Sequence, residues 1–173
     1  MKINTLYASD LFSLGCQDAF QDVENTPLTL CNNIVFVDFS VVNVNVFSNY
    51  DWVVSLGDSL VILICDLQLL PIAGFFQKKF EKIIAIFTSQ EPINSIISFL
   101  ENYDSQSERK TVATICLSES EFLCLSGILK GTNASIEAKT KKLSVKTIYT
   151  HRKNIVNKLG SRKITFLQNS FQR

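Results

Sequence analysis

The sequence predicts an α/β domain with a parallel sheet, followed by a small all-α domain. The first 103 residues contain short, nearly continuous apolar runs separated by mixed segments, the pattern of buried strands alternating with helices. The last third instead has apolar residues at helical spacing between capping residues. A chain of 173 residues with 46% apolar and 19% charged residues suits one ordinary domain or two small ones, and excludes disordered and collagen-like classes.

The charge is divided unequally between the two parts. The whole chain has 17 basic and 16 acidic residues, a net charge of +1. Residues 1–108 hold thirteen acidic side chains and four lysines, a net of −9, whereas residues 109–173 hold thirteen bases and three acids, a net of +10. After Glu137 there is no carboxylate side chain, yet ten bases follow. This basic segment predicts a polyanionic partner for the C-terminal part.

The cysteine pattern and the apolar runs limit the other classes. Five cysteines, at positions 16, 31, 65, 116 and 124, include no C-x-x-C pair, so neither a disulfide framework nor a zinc site is indicated. The most apolar stretch, 60–76, contains Asp66, Gln68 and Pro71, and is interpreted as a buried strand followed by a loop, not a membrane span. The N-terminal apolar run is too short for a signal peptide. We therefore expect a cytoplasmic protein with reduced cysteines, no membrane contact and no cofactor.

Strands and helices alternate along the first part of the chain. The predicted strands are Ile3–Tyr7, Leu28–Leu30, Ile34–Phe39, Leu60–Cys65 and Ile83–Phe87. The predicted helices are Leu11–Asp22, Tyr50–Leu56, Phe75–Lys82 and Ile93–Tyr103. Residues 40–50 alternate with period two, which fits either a longer strand or an extra hairpin arm. This alternation favours a parallel sheet.

The domain boundary is predicted where the charge changes sign. Asp104–Lys110 is polar and has no hydrophobic periodicity, as linkers between domains usually are. The predicted domains are therefore residues 1–103 and 112–173, joined by a linker at 104–111.

Three helices are predicted after the linker. Ser118 and Glu121 form a capping box before a stripe of Phe122, Leu125 and Leu129, and Gly131 supplies the left-handed stop. Asn133 can cap a second helix to Lys142, with Ile136, Thr140 and Leu143 as its stripe. Ser144 caps the third helix, whose inward residues are Ile148, Ile155 and Leu159 and which Gly160 ends. These signals predict a three-helix core.

The third helix has an outward face rich in basic and hydrogen-bonding groups: Lys146, Tyr149, Thr150, Arg152, Lys153 and Asn157. A short helix, a tight turn and a longer helix with such a face suit entry into the DNA major groove. Residues 117–160 resemble the LuxR/FixJ-type helix-turn-helix without a gap. The matching positions are Leu117-Ser118-x-x-Glu121, Gly131, Ala138, Leu143-Ser144-x-Lys146-Thr147-Ile148-x-Thr150-His151 and Asn154-Ile155-x-x-Lys158-Leu159.

The resemblance implies a division of roles on this helix. It assigns base-edge contacts to Tyr149, Thr150 and Lys153, and it places Lys146, Thr147, Arg152, Asn154 and Lys158 nearer the phosphates. It also implies a fourth helix at Ile164–Phe171 that packs on a second subunit. The alternative is that these charges only solubilise an exposed helix face. Two departures affect the second helix, where Ile136-Glu137-Ala138 replaces the usual Glu-Ile-Ala and Lys141 and Lys142 precede Leu143.

His151 is the single histidine of the chain. A lone histidine cannot build a Ser/His/Asp triad or a metal site without partners. The resemblance implies a side chain partly packed against the helical core.

The N-terminal part resembles the receiver domain of response regulators, with Asp38 near the end of its third predicted strand. Receivers use an acidic pair, a phosphoryl-accepting aspartate and a lysine together. Here Tyr7-Ala8-Ser9 occupies the place of the acidic pair, although Asp10 is close, and Thr88-Ser89 occupies the place of the lysine. Asp38 is therefore interpreted either as a residue that caps a loop or as a phosphoryl acceptor.

Chains of this layout resemble the atypical enterobacterial regulators of the GadE, RcsA and BglJ group, several of which act with the response regulator RcsB. The leading hypothesis is a non-enzymatic, phosphorylation-independent transcriptional regulator that binds double-stranded DNA as a homodimer or as a heterodimer with a response-regulator-type partner. One alternative is a phosphorylatable response regulator that uses Asp38. Another is an auxiliary subunit that contacts a protein such as RNA polymerase.

Overall fold

The computed structural model describes residues 3–20, 33–103, 110 and 115–160. Four strands are present in these ranges: β1 Ile3–Leu6, β2 Ile34–Phe39, β3 Leu60–Cys65 and β4 Ile83–Thr88. The helices are α1 Asp10–Ala19, α2 Asp51–Val54, α3 Leu70–Lys79, α4 Ile93–Asn102, α5 Glu119–Leu129, α6 Ala134–Lys141 and α7 Val145–Lys158. No helix among these is long and apolar enough to span a bilayer.

The four strands form one parallel sheet in chain order, β1-β2-β3-β4. The backbone of Lys110 extends this sheet beyond β4, because its N–H donates to Ile84 O and its O accepts from Ile86 N–H, both at 3.1 Å. The buried Gln77 side chain of α3 donates to the same Lys110 carbonyl at 3.0 Å. Part of the predicted linker is therefore attached to the sheet edge.

Both faces of the sheet are covered, as parallel sheets require. Ile34 and Phe36 of β2 lie with Cys16 and Phe20 and with α4 on one face. The alternate residues of β2, such as Val35 and Val37, lie with α2 and α3 on the other. Buried apolar residues on both sides explain why the strands are continuous apolar runs.

The core continues from the sheet into the C-terminal helices. Phe122 of α5 stacks on Phe75 at 4.3 Å between ring centroids and contacts Tyr50 and Phe76 at 5.1 Å each. Leu117 N–H donates to the carbonyl of Pro71 at 2.9 Å. Next to these rings, Glu119 accepts hydrogen bonds from the Tyr50 hydroxyl at 2.7 Å and from Lys79 at 2.8 Å. The α/β part and the helical part thus share one apolar contact.

The strand predictions within the described residues are confirmed to within one residue at each end. The loop predicted after Cys65 is wrong, because residues 67–69 form a 3-10 turn and α3 begins at Leu70. Pro71 lies in the first turn of α3, where its missing N–H costs nothing. The predicted start at Phe75 was therefore too late.

Neither interpretation of residues 40–50 is correct. Two 3-10 turns occupy Val41–Asn43 and Val46–Ser48. Val41, Val46 and Phe47 pack against the core, where Phe47 stacks on Phe39 at 3.9 Å, whereas Val42 is exposed. The predicted strand Leu28–Leu30, the predicted linker 104–111 apart from Lys110, and the predicted helix Ile164–Phe171 lie outside the described residues.

Candidate nucleic-acid interface

Helix α5 begins and ends at the residues that its sequence signals predict. The Ser118 hydroxyl accepts from Glu121 N–H at 3.3 Å, and Glu121 accepts from Ser118 N–H at 2.8 Å. Gly131 has a φ of 66°, and Thr132 N–H donates back to Gly127 O at 2.9 Å. The predicted apolar residues Phe122, Leu125 and Leu129 are all buried.

Helix α6 lies in a different orientation from the predicted one. Asn133 caps it as expected, accepting from Ser135 N–H at 2.8 Å. The predicted stripe is wrong, however, since Ile136 is 59% and Leu143 is 42% exposed. Ala134, Glu137 and Ala138 are buried instead. The helix turns a carboxylate inward because two bases neutralise it there.

Glu137 is the centre of that arrangement. Arg152 of α7 donates to Glu137 Oε2 through Nε at 3.1 Å and Nη2 at 2.6 Å, and Nη2 also donates to Thr132 O at 2.6 Å. Lys141 donates to Glu137 Oε1 and to the carbonyl of Leu123. Burial opposes ionisation of Glu137, but these hydrogen bonds outweigh it and hold its pKa below the usual 4.5.

Arg152 was predicted on the outward face of α7, and this prediction is wrong. It is 6% exposed and is committed to Glu137 and Thr132. The sequence placed Arg152 on the surface because a guanidinium on a helix is normally solvated. Its role is to hold α6 against α7.

Lys158, which the resemblance places nearer the phosphates, also has a structural role. Its Nζ donates to Glu121 Oε2 at 2.6 Å and to Cys116 O at 2.9 Å. Burial acts against the charge of Glu121, but Lys158 and the Ser118 N–H hold the pKa of Glu121 below 4.5. Lys158 thus ties the end of α7 to the start of α5.

The turn between α6 and α7 places the longer helix. Lys142 adopts the left-handed conformation, with a φ of 54°. Ser144 caps α7, accepting from Thr147 N–H at 3.0 Å. Ile148, Ile155 and Leu159 are buried as predicted, and His151 is half-buried.

The remaining predicted residues lie together on the outside of α7. Lys146, Tyr149, Thr150, Lys153 and Asn154 are exposed, as is Asn157. At about 100° per residue, these positions span about 140° of the helix circumference. Thr147 is half-buried, and its hydroxyl lies 2.7 Å from that of Ser144. We call the exposed set (Lys146, Tyr149, Thr150, Lys153, Asn154 and Asn157) the α7 face.

The charge around the α7 face is unopposed within the described residues. All three carboxylates between 115 and 160 are paired: Glu119 with Lys79, Glu121 with Lys158, and Glu137 with Lys141 and Arg152. Lys146 and Lys153 form no ion pair with a described carboxylate, and neither do the exposed Lys139 and Lys142 beside the helix. The acidic side chains support the fold, and the bases face outward.

Sequence reasoning missed three residues that shape this surface. Lys139 and Lys142 add exposed charge near the α7 face, and their presence in a basic run was the available signal. Gly127 makes room for Glu137, since a Cβ there would lie 2.9 Å from its carboxylate. A glycine inside a helix indicates a close approach, but nothing in the sequence identifies what approaches it.

The carboxyl edge of the sheet holds Asp38, the other predicted candidate. Burial raises the pKa of its carboxyl, although the Ser40 hydroxyl and the Ser9 N–H donate to it, and the charge of Asp66 raises the pKa further. Asp66 itself accepts from Val41 N–H at 2.9 Å. The only described lysine near β4's end, Lys110, is 2.6 Å from Glu91. No group of three His, Cys, Asp or Glu able to hold a metal occurs in the described ranges.

These features define a protein with a parallel α/β unit joined to a basic helical unit. Residues 8–103 match the EcpR N-terminal domain. The chain therefore belongs to the family that carries this domain. No curated protein matches it significantly.

Solved response regulators show a weaker likeness. RcsB from Salmonella typhimurium, described for its conformational dynamism in DNA interaction, is 15% identical and covers 98% of this chain and 96% of its own, with a TM-score of 0.43. Full-length FixJ from B. japonicum is 11% identical, covering 97% and 94%, with a TM-score of 0.43. RcsB of Salmonella enterica serovar Typhimurium bound to promoter rprA is 16% identical, covering 94% and 97%, with a TM-score of 0.38.

Proposed function

We propose that this chain is a sequence-specific DNA-binding transcriptional regulator that inserts α7 into the major groove as the second helix of a LuxR-type helix-turn-helix. The observation that carries the proposal is the α7 face, a basic and hydrogen-bonding surface whose lysines form no ion pair with a described carboxylate. Phosphate neutralisation by such bases supplies most of the affinity for DNA. Choice of sequence needs contacts to base edges.

The contacts divide by position on the helix. We assign base reading to Tyr149, Thr150 and Lys153, which are exposed on α7 and which the resemblance places at base edges. Lys146 and Asn154 contact phosphates, and Thr147 supports the helix N-terminus through Ser144. Arg152 and Lys158 position α7 and do not contact DNA, which revises the roles that the resemblance assigned to them.

The N-terminal unit acts in this proposal without a catalytic step. Asp38 is partly buried, is hydrogen-bonded and forms no ion pair with a described base, which favours a structural role over phosphoryl transfer. We assign the unit to contacts with a second subunit, either a copy of this chain or a response-regulator-type partner. RNA polymerase is the expected target of the assembled regulator.

The test is selection of bound duplexes from a random library by the full-length chain, followed by affinity measurements over a salt series. We expect a defined motif. The logarithm of the association constant should fall linearly with the logarithm of the salt concentration, with a slope of about −0.9 for each phosphate contact. Lys153→Ala should weaken the selected duplex more than random duplex, whereas Lys146→Ala should weaken both equally. Lys78→Ala, at an exposed lysine of α3, is the matched charge control and should change neither.

Absence of salt-dependent binding to any duplex would reject the proposal and favour a protein-interaction subunit. Repeating the selection with a purified receiver-type partner distinguishes self-sufficient from heterodimeric binding. Incubation with acetyl phosphate and Mg²⁺ tests the phosphorylation alternative. A mass gain of one phosphoryl group that Asp38→Ala removes would show that Asp38 is an acceptor.

A further inference from the structure

A cleft of about 350 Å³ separates α1 from α4 on the face of the sheet opposite α3. Its floor is formed by the buried Phe36 of β2 and the half-buried Ile64 of β3. One end lies at the carboxyl end of β4, beside Thr88 and Ser89. Concave sites of this size and lining are the usual form of small-molecule pockets.

The wall of the cleft that α1 provides contains a glycine without an evident structural reason. Gly15 lies inside the helix, and no atom lies within 4 Å of the position that a Cβ would occupy. It does not have a positive φ. A glycine in a helix interior destabilises it relative to alanine. Gly15 is exposed and lines the cleft, so a larger side chain at this position would extend into the cleft.

The chemistry of the lining limits what can bind. Most of the lining is apolar and includes the half-buried ring of Phe12 and the buried rings of Phe20 and Phe36. Of the twelve lining residues only Glu91 is charged, and Lys110 already neutralises it at 2.6 Å. An anion would find no base in this lining, and a cation would compete with Lys110. The polar end offers hydroxyl and carboxylate oxygens, which accept hydrogen bonds.

The cleft is also accessible at its rim. Ile93 lines the cleft and is 45% exposed, and Leu11, one helical turn before Gly15, is 82% exposed. Cys16 lines the same wall. The pKa of its thiol is raised to about 11, mainly by burial and to a smaller extent by the nearby charge of Asp38. The wall is therefore uncharged at neutral pH.

We infer that this cleft binds a small, uncharged aromatic molecule that has one hydrogen-bond donor, directed at Ser89 and Thr88. The site is separate from the α7 face and does not depend on the proposed DNA binding. In this inference the α/β unit is the part of the chain that binds a small molecule.

The experiment is calorimetric titration of the full-length chain with three probes. Indole has the required ring and N–H donor, benzofuran has the same shape without the donor, and indole-3-acetate adds a negative charge. We expect indole to bind about tenfold more tightly than benzofuran, and indole-3-acetate not to bind. Ser89→Ala should reduce the difference between indole and benzofuran.

Two substitutions at Gly15 supply the matched control. Gly15→Ala and Gly15→Leu both improve helix propensity, so both should raise Tm, but only the leucine fills the cleft. Gly15→Leu should weaken indole about tenfold or more, and Gly15→Ala should leave binding nearly unchanged.

Three results would overturn the inference: no indole binding, equal affinity for benzofuran, or indole binding that Gly15→Leu leaves intact. Dimerisation that Gly15→Leu disrupts, in the absence of indole binding, would assign the cleft to a second copy of the chain. Because none of these measurements includes DNA, they stand whether or not the α7 face binds a duplex.

Discussion

The α/β unit and the helical unit differ in where their charged side chains lie. Among the described residues of the α/β unit no charged residue is buried, and its internal ion pair, Lys110 with Glu91, lies at the sheet edge. In the helical unit two carboxylates, Glu121 and Glu137, are buried and bonded to bases of neighbouring elements. A 46-residue helical segment has little apolar surface to bury, so ion pairs contribute to its geometry.

The bases of the helical unit fall into two sets, one that faces inward and one that faces outward. The inward bases Lys141, Arg152 and Lys158 each bond to a carboxylate and to a backbone carbonyl. The outward Lys146 and Lys153 form no ion pair with a described carboxylate. The basic segment therefore contains bases that hold the fold together and bases that remain exposed, and burial distinguishes the two sets.

The largest expected effect concerns the contact between the two units. Phe122→Ala should cost about 3–5 kcal/mol, because it removes a buried ring that packs on Phe75, Phe76 and Tyr50. The chain has one tryptophan, Trp52, in the α/β unit. Urea unfolding should therefore give coincident fluorescence and circular dichroism transitions in the parent protein, and separate transitions in the variant.

Phe20→Ala is the matched control for that experiment. Phe20 is equally buried and stacks on Phe36 at 4.8 Å on the far side of the sheet. It should lower stability while the two transitions stay coincident. Separate transitions in the parent protein would contradict the shared core.

The second prediction tests the buried ion pairs. Glu137→Gln should cost about 3–5 kcal/mol, because it leaves Arg152 and Lys141 without a counter-charge in a buried site. Thermal unfolding by circular dichroism measures the loss. Lys153→Ala, on the exposed side of the same helix pair, should leave Tm unchanged, and an equal loss in both variants would contradict the distinction between inward and outward charges.

Acidification sharpens the same comparison. The pKa of Glu137 is below its ordinary 4.5 in the folded chain, so its contribution to stability is present above about pH 4.5 and is lost as pH falls through the folded value. Asp38 of the α/β unit has a raised pKa, so it acts in the opposite direction. The stability difference between the parent protein and Glu137→Gln should shrink below pH 4.5. A constant difference down to pH 3 would contradict the ion pair.

The third prediction compares one glycine from each unit. Gly127→Ala should cost about 1–3 kcal/mol, since the new Cβ would lie 2.9 Å from the carboxylate of Glu137 and displace it. Gly15→Ala should instead stabilise by about 0.4–1 kcal/mol, because the space is open. Chemical denaturation of both variants measures the opposite signs, and two stabilising changes would show that Glu137 moves away freely.

Much of the fold follows from local signals in the sequence. Strands buried on both faces form continuous apolar runs, so β2 and β3 were predicted at Ile34–Phe39 and Leu60–Cys65. Capping residues fixed the starts of α5 and α7 at Ser118 and Ser144. The 3-10 turns at 41–48 were missed because their apolar residues meet a core built from distant elements.

The candidate site was predictable in location but not in every residue. The α7 face was placed by helical spacing around Ile148, Ile155 and Leu159. The burial of Glu137 and Arg152 was not predicted. Charged residues of these types normally lie on the surface, and they are buried here because each neutralises the other. The contact between α6 and α7 is a tertiary contact, and it cannot be predicted from residue spacing along one helix.

The smallest expected effect concerns the turn before α7. Lys142 has a φ of 54°, a conformation that costs a non-glycine residue about 1–2 kcal/mol. Lys142→Gly should therefore stabilise by about 1 kcal/mol or slightly less, because glycine also loses more chain entropy on folding. Lys139→Gly removes the same charge from a helical position of α6 and should destabilise by about 1 kcal/mol.

If both lysines act only through charge, the two variants should weaken duplex binding equally while their Tm values move in opposite directions. Unequal binding losses would show that the geometry of the turn, and not charge alone, sets how α7 meets DNA.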